Sequence, residues 1–264
     1  MKEHLRKIYH KLHLSVRILR YPFWAFLDVA YRLKLFSVFE IPVVINNFNR
    51  LTYLQELVAF LEKCRFATII IFDNNSTYPP LLEFYKTCKH TVIRSGINYG
   101  HLAFWKSGLY SSYKWNYFIY TDSDVLPVEE CPKDFIVHFK AVLKKNYSID
   151  KVGFGIRIDD LPDYFALKEK VVKYEERYWQ RKVKPGLYDA PIDTTFALYR
   201  PLSDLKHGEV YTLSAWRTGV PYVIRHLPWY TDSNNLPEEE AYYIKTCNSS
   251  SSIGLHQKGN EDIY

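Results

Sequence analysis

The chain has 264 residues, 47% of them hydrophobic, enough for one large α/β domain with a sizeable core. Its formal charge of +6 is confined to one end: Lys2, Arg6, Lys7, Lys11, Arg17, Arg20, Arg32 and Lys34 stand against Glu3 and Asp28, so residues 1–35 carry the whole excess. The neutral remainder argues against nucleic-acid binding by the main body. The four cysteines, with no Cys-x-x-Cys pair, argue against a disulfide framework or a zinc site.

The first pattern in the chain is amphipathic. Leu5, Ile8, Tyr9, Leu12, Val16, Leu19, Phe23, Phe26 and Leu27 recur at helical spacing among basic residues, and Pro22 is expected to kink the run. Basic amphipathic helices rich in aromatics lie in membrane interfaces; the alternative is a terminal helix docked on the domain. The apolar stretch from Tyr21 to Tyr31 is too short to span a bilayer and contains Asp28.

Strands and helices then alternate. Ile41 to Asn46 reads as a strand, and Asn49 is expected to cap a helix with the apolar face Leu51, Leu54, Leu57, Val58 and Leu61. Ala67 to Phe72 is a continuously apolar strand, followed by the loop Asp73–Thr77 and a helix opened by Pro79 and Pro80. Thr91 to Arg94 is a third strand, and a helix through Trp105 and Leu109 leads to a fourth, Tyr117 to Thr121. This alternation implies βαβ units on a mostly parallel sheet flanked by helices, an α/β fold. Further on, the pattern gives a helix at Phe135–Leu143, a strand at Val152–Ile158, a charged helix at Phe165–Trp179, a basic loop at Arg181–Pro191 and a strand at Thr194–Leu198. From Ser249 the composition is that of a polar tail. The expected organisation is a basic segment over 1–38, a catalytic domain over 39–248 and a tail over 249–264.

The fourth strand ends in Asp122-Ser123-Asp124. Two carboxylates held one residue apart repel each other, and a hard divalent cation such as Mg2+ or Mn2+ removes that repulsion. An ordinary Asx turn is the alternative. Polar clusters also follow the other strands, at Asn46–Arg50, Asp73–Ser76 and Asn98–His101. In a parallel sheet such loops share one edge, where ligands bind. The 23 Tyr and 6 Trp suit the apolar faces of sugar rings as well as a core.

Four segments together resemble family 2-type glycosyltransferases of the GT-A fold: Pro42–Arg50, Ile71–Ser76, Asn98-Tyr99-Gly100 and Thr121–Asp124. The resemblance implies a nucleotide-sugar donor, a UDP-sugar, with Asn46, Arg50, Asp73, Asn98, Asp122 and Asp124 as its binding set. Asp73 would face the base, Asp122 the ribose side, and Asp124 would hold a Mn2+ or Mg2+ ion bridging the diphosphate. His226, in the segment Tyr222–Tyr230, resembles a late histidine metal ligand and would join Asp122 and Asp124; His256 is its rival. The acidic pair that many members carry on a helix has no counterpart at this stage. Asp193 takes the role of catalytic base toward the acceptor, with Asp189 as fallback. The acceptor implied is a carbohydrate or a lipid-linked sugar, and the expected setting is the cytoplasm, peripheral on the inner face of a membrane. A catalytically silent nucleotide-sugar-binding scaffold is the alternative. A sugar-1-phosphate nucleotidyltransferase is less favoured, because the loop after the first strand has no glycine.

Overall fold

The computed structural model describes residues 18–205 and 212–247. Helix α1 (Tyr21–Arg32) has Pro22 in its first turn. Proline fits there because its missing N–H would be unpaired anyway; most of the run it was expected to kink lies outside the described residues, and a turn at 19–20 precedes the helix. The βαβ alternation follows: β1 (Val43–Asn47), α2 (Thr52–Lys63), β2 (Ile69–Asp73), α3 (Pro79–Thr87) and β3 (Thr91–Arg94). The helix expected through Trp105 and Leu109 is two short pieces, α4 (Ala103–Lys106) and α5 (Tyr110–Tyr113), interrupted at Gly108, whose φ is +83°. Next come β4 (Phe118–Asp122), β5 (Val125–Pro127), α6 (Phe135–Lys145), β6 (Lys151–Ile156) and α7 (Lys168–Glu175). The segment read as a basic loop is a hairpin of β7 (Lys182–Lys184) and β8 (Leu187–Asp189), turning at Gly186 with φ +67°. The described residues end with β9 (Ala197–Tyr199), β10 (Ala215–His226) and α8 (Glu238–Thr246).

The ten strands among the described residues form one sheet, ordered β3-β2-β1-β4-β9-β6-β10-β8-β7, with β5 on β10. The sheet is parallel from β3 to β4. Beyond β4 it is mixed: β9 runs antiparallel between β4 and β6, while β6 and β10 are parallel. Helices cover both faces, which the alternation of side chains along a strand dictates. Val43, Ile45, Ile71 and Ile119 point into the larger core with Leu57 of α2 and Phe139 of α6. Their neighbours Val44, Ile70, Phe118 and Tyr120 point the other way, against Phe104 of α4 and Tyr110 of α5. Strands β1, β2 and β4 are therefore buried on both faces and read as apolar runs, with polar side chains where each emerges at its C-terminal end.

Helix α1 is docked on this body. Its Trp24 is fully buried and donates its indole N–H to the Pro201 carbonyl at 3.0 Å. Asp28 is buried too, accepting from Lys140 Nζ, from Tyr117 Oη at 3.0 Å and from Tyr147 Oη at 3.2 Å. Asn49 does not cap α2; it has φ +51° and its Oδ1 accepts from the backbone N–H of Thr77 and Tyr78. The N-terminus of α2 is met instead by Glu239 of α8, whose two carboxylate oxygens accept from Thr52 N at 3.1 Å each. A carboxylate is the favoured group at that end of a helix. Residues 1–17 and His256, with the polar tail, lie outside the described residues.

Candidate functional site

The register of the parallel strands builds the site. Asn46 of β1 lies opposite Asp122 of β4 and Phe72 of β2, and Asn47 lies opposite Asp73. All these residues emerge at one edge. Asn46 Nδ2 donates to Asp122 Oδ1 at 3.2 Å and to the Gly100 carbonyl at 3.4 Å. Asn74 pins the same loop, donating to the Gly100 carbonyl at 2.9 Å and accepting from Tyr99 N at 2.7 Å. Asn98 closes the turn through its Oδ1, which accepts from Gly100 N at 2.8 Å. The four polar clusters seen in the sequence therefore meet.

Asp122 and Asp124 occupy different environments. Asp122 Oδ2 accepts from Thr194 Oγ1 at 2.5 Å, and its backbone N–H donates to the Thr194 carbonyl at 3.1 Å. Burial, then the neighbouring Asp124 and Asp193 carboxylates, raise the Asp122 carboxyl well above the usual carboxylate range, against the hydrogen bonds from Thr194 and Asn46. Asp124 is buried as well, which alone would raise it, but His226 and Arg50 outweigh burial and hold it below that range.

The pairing of β5 with β10 sets Val125 opposite His226, bringing His226 Nε2 to 3.5 Å from Asp124 Oδ2. Burial lowers the His226 pKa, with the Asp124 charge opposing it. Its Nδ1 and Asp124 Oδ1 are buried without hydrogen-bond partners. Asp122 faces Asn46 and Thr194 instead, so Asp122, Asp124 and His226 do not close into one ligand set. Among the described residues no three carboxylate, imidazole or thiolate groups gather closely enough to hold a metal ion alone.

A cation already stands beside Asp124. Arg50 is buried; its Nη1 donates to Asp124 Oδ2, while Nε and Nη2 donate to Glu240 Oε1 and Oε2, each at 3.0 Å. Its guanidinium lies 3.7 Å from the centroid of the Tyr243 ring. Burial opposes the charge, but Glu240 foremost, then Tyr243 and Asp124, hold the guanidinium protonated. Glu240 and Tyr243 belong to α8, which the sequence reading missed. The acidic run Glu238-Glu239-Glu240 after Pro237 marks a helix start, but nothing in it points to Arg50.

The remaining expected residues divide. Asp73 is fully buried and engaged: Oδ1 accepts from Tyr85 Oη at 3.2 Å, and Oδ2 from Ser76 N and Arg94 Nε at 3.3 Å each. Asp193 lies in the loop before β9, adjoining the Thr194 that holds Asp122, and its Oδ1 is buried without a partner. Lys151 secures that loop from below, donating to the Ile192 carbonyl at 2.6 Å and the Asp193 carbonyl at 3.3 Å. Burial brings this lysine down to about 7, with Asp193 opposing. Asp189 pairs with Arg181 at 3.0 Å, in the hairpin. A cavity of about 320 Å3 opens beside Glu240, between Phe165–Leu167, Pro228–Leu236 and Ile244 of α8.

No family model and no curated protein matches the chain. Among solved structures it is similar to that of GalNAc-T7 with UDP, GalNAc and Mn2+, at 14% identity and a TM-score of 0.46, over 85% of this chain and 54% of that one. It is also similar to HddC from Yersinia pseudotuberculosis, at 14% identity and a TM-score of 0.43, over 76% of this chain and 97% of that one. The chain thus spans about half the length of the first of these proteins.

Proposed function

We propose that the protein is a GT-A glycosyltransferase that moves a sugar from a UDP-sugar to a carbohydrate hydroxyl. One observation carries this reading. At the ligand-binding edge of a parallel sheet, Asp124 keeps one buried oxygen without a partner while an arginine and a histidine converge on the other. An unpaired buried carboxylate oxygen is costly unless a ligand completes it.

A divalent ion fits here when a diphosphate supplies the ligands that the protein lacks, since Mg2+ and Mn2+ sites are commonly built from one or two side chains plus substrate phosphates. Asp124 and His226 would hold it, and when bound it would supply Lewis-acid stabilisation of charge on the leaving diphosphate. Asn46 and the Asp122 carboxyl orient the ribose side, and the loop Asn98–Gly100 closes over the nucleotide. Asp73, already engaged, shapes the base pocket through Tyr85 and Arg94. Asp193 takes the proton of the attacking hydroxyl as the acceptor oxygen bonds to the anomeric carbon and the nucleoside diphosphate departs with the bonding electrons. The cavity beside Glu240 suits the acceptor, because its lining mixes apolar Phe165, Leu167 and Ile244 with Ser233 and Asn234.

The Arg50–Asp124–Glu240 ion pairs favour a second reading, a nucleotide-sugar-binding protein without turnover, in which Arg50 permanently fills the cation position. Calorimetry of UDP with Mn2+ and with excess chelator, alongside donor hydrolysis over a panel of UDP-sugars, separates them. The transferase reading expects UDP affinity at least tenfold higher with Mn2+, lost in Asp124→Asn, and turnover of one donor. UDP binding that is the same with Mn2+ and with excess chelator, with no donor turned over, supports the silent protein. Equal UDP affinity in Asp124→Asn and wild type overturns both.

A further inference from the structure

We propose that α1 and the segment after it form a fixed docking surface for an anionic phospholipid bilayer, at the opposite end of the sheet from the candidate site. The observation is a helix with two apolar faces. Trp24, Leu27 and Tyr31, at spacings of three and four, face the core. Pro22, Phe26 and Val29, at the same alternating spacing, face outward, and Leu19 in the turn before the helix and Leu33 at its C-cap extend the surface, with Leu19 78%, Phe26 66% and Leu33 62% exposed. A helix on a domain surface normally turns charged residues to water on that side.

The patch continues past the helix. Leu35 is 68% exposed, and Phe36 packs on Tyr31 at 5.6 Å. Trp115, 61% exposed, meets Phe23 of α1 edge-on at 6.3 Å. Contiguous exposed apolar surface of this kind marks an interaction site. Its occupant follows from charge. Arg32 and Lys34 are exposed at the C-terminal end of the helix, and Lys114 lies 5.7 Å from the Trp115 ring, whereas Arg20 is turned back onto the Leu202 carbonyl. The Asp28 carboxylate is turned inward onto Lys140, so it offers nothing outward, and between residues 18 and 40 the other acid is Glu40. Aromatic and aliphatic side chains ringed by arginine and lysine match the headgroup region of an anionic membrane. The contact is peripheral: among the described residues no helix is long and apolar enough to cross a bilayer.

Position adds a consequence. Tyr117 and Asn116, which bind α1 through Asp28 and Tyr31, precede β4, whose far end carries Asp122. From Tyr117 to Asp122 the chain spans about 16 Å at ~3.3 Å per residue. A bilayer-docked molecule holds its site away from the lipid, and any acceptor must reach it clear of the headgroups. This surface does not rest on the donor chemistry.

The test is co-sedimentation of the full chain with vesicles of phosphatidylcholine alone and with a quarter phosphatidylglycerol. Binding to the anionic vesicles, weakening as salt rises, is expected. The triple variant Phe26→Ser, Leu33→Ser, Leu35→Ser should reduce it at least tenfold, and Arg32→Glu with Lys34→Glu should reduce it while an unchanged melting temperature shows that α1 stays docked. Anionic-vesicle binding equal in the triple variant and wild type overturns the proposal. So does a wild type that ignores vesicles but sediments as a dimer, which the triple variant dissociates; the patch would then belong to a second copy.

Discussion

At Asp122 and Asp124, two carboxylates of one tripeptide are pushed in opposite directions by their neighbours. Asp124 has two cationic or protonatable partners, Arg50 and His226; Asp122 has hydrogen-bond donors but no cation. A carboxylate held below its unfolded value of about 3.9 contributes stability that is present above roughly pH 4 and lost as pH falls through its folded value. That is Asp124. A carboxylate raised above its unfolded value keeps a proton that the unfolded chain releases, so stability falls as pH rises from about 4 through the folded value. That is Asp122. Urea unfolding from pH 4 to 8 should therefore find Asp122→Asn as stable as wild type at pH 4 and more stable, by about 1 kcal/mol or more, at pH 8. Asn fits the same partners, accepting from Asn46 while donating to Thr194. Asp124→Asn should lose about 3 kcal/mol at pH 7, because Arg50 keeps its buried charge with one partner fewer. Matching pH profiles for the two variants would contradict this assignment.

At the scale of elements, the part of the site carried by β1, β2 and β4 was legible in the sequence. Parallel strands buried on both faces give continuous apolar runs, and the polar residues that end them have one place to go. The second half hid itself for a physical reason. The inner face of α8 is Glu239 and Glu240, because it meets the N-terminus of α2 and Arg50 rather than a greasy core. Strand β10 carries Arg217 and Arg225, neutralised by Glu175 and Asp160 from distant segments, so its pattern does not read as a buried strand. Strand β9 inserts antiparallel beside β4, and glycine permits it. A Cβ on Gly153 of β6 would sit 2.4 Å from the Phe196 carbonyl oxygen and 2.8 Å from Ala197 Cβ. Both are backbone or short side-chain atoms, which cannot swing aside. Gly153→Ala should cost about 2 kcal/mol and shift the start of β9, which lies shortly after Asp193 and Thr194. Calorimetric melting and donor turnover should both fall. Gly96→Ala, where the added methyl meets nothing within 4 Å, is the control expected to leave both unchanged. A Gly153→Ala protein as stable as that control would mean β9 has slack the packing does not show.

At the scale of the whole molecule, the charge ledger separated residues 1–35 as a basic appendage, but the structure ties the later part of that stretch into the body. Lys140 of α6 is buried, and burial lowers its pKa. What keeps it charged is Asp28 of α1, together with the Tyr117 ring 3.8 Å from its Nζ. Removing residues 1–35 would leave that ammonium facing no anion, and would take Trp24 from beside the buried Arg200, whose guanidinium carbon lies 4.6 Å from the indole. Breaking a buried ion pair by deleting one partner costs about 3–5 kcal/mol, and truncating a core tryptophan costs about 3–5 kcal/mol. Together these rival the total stability of an ordinary domain, about 5–15 kcal/mol. A chain beginning at residue 36 should accordingly be recovered unfolded or aggregated. The electrostatic share is separable by a double-mutant cycle. Asp28→Asn should lose about 3 kcal/mol in urea, and Lys140→Met a comparable amount. The double variant should lose less than the two added together, since neither charge is then left alone. Strict additivity would show that Asp28 and Lys140 do not sense each other. A well-folded chain from residue 36 would show that α1 is the detachable arm its charge suggested.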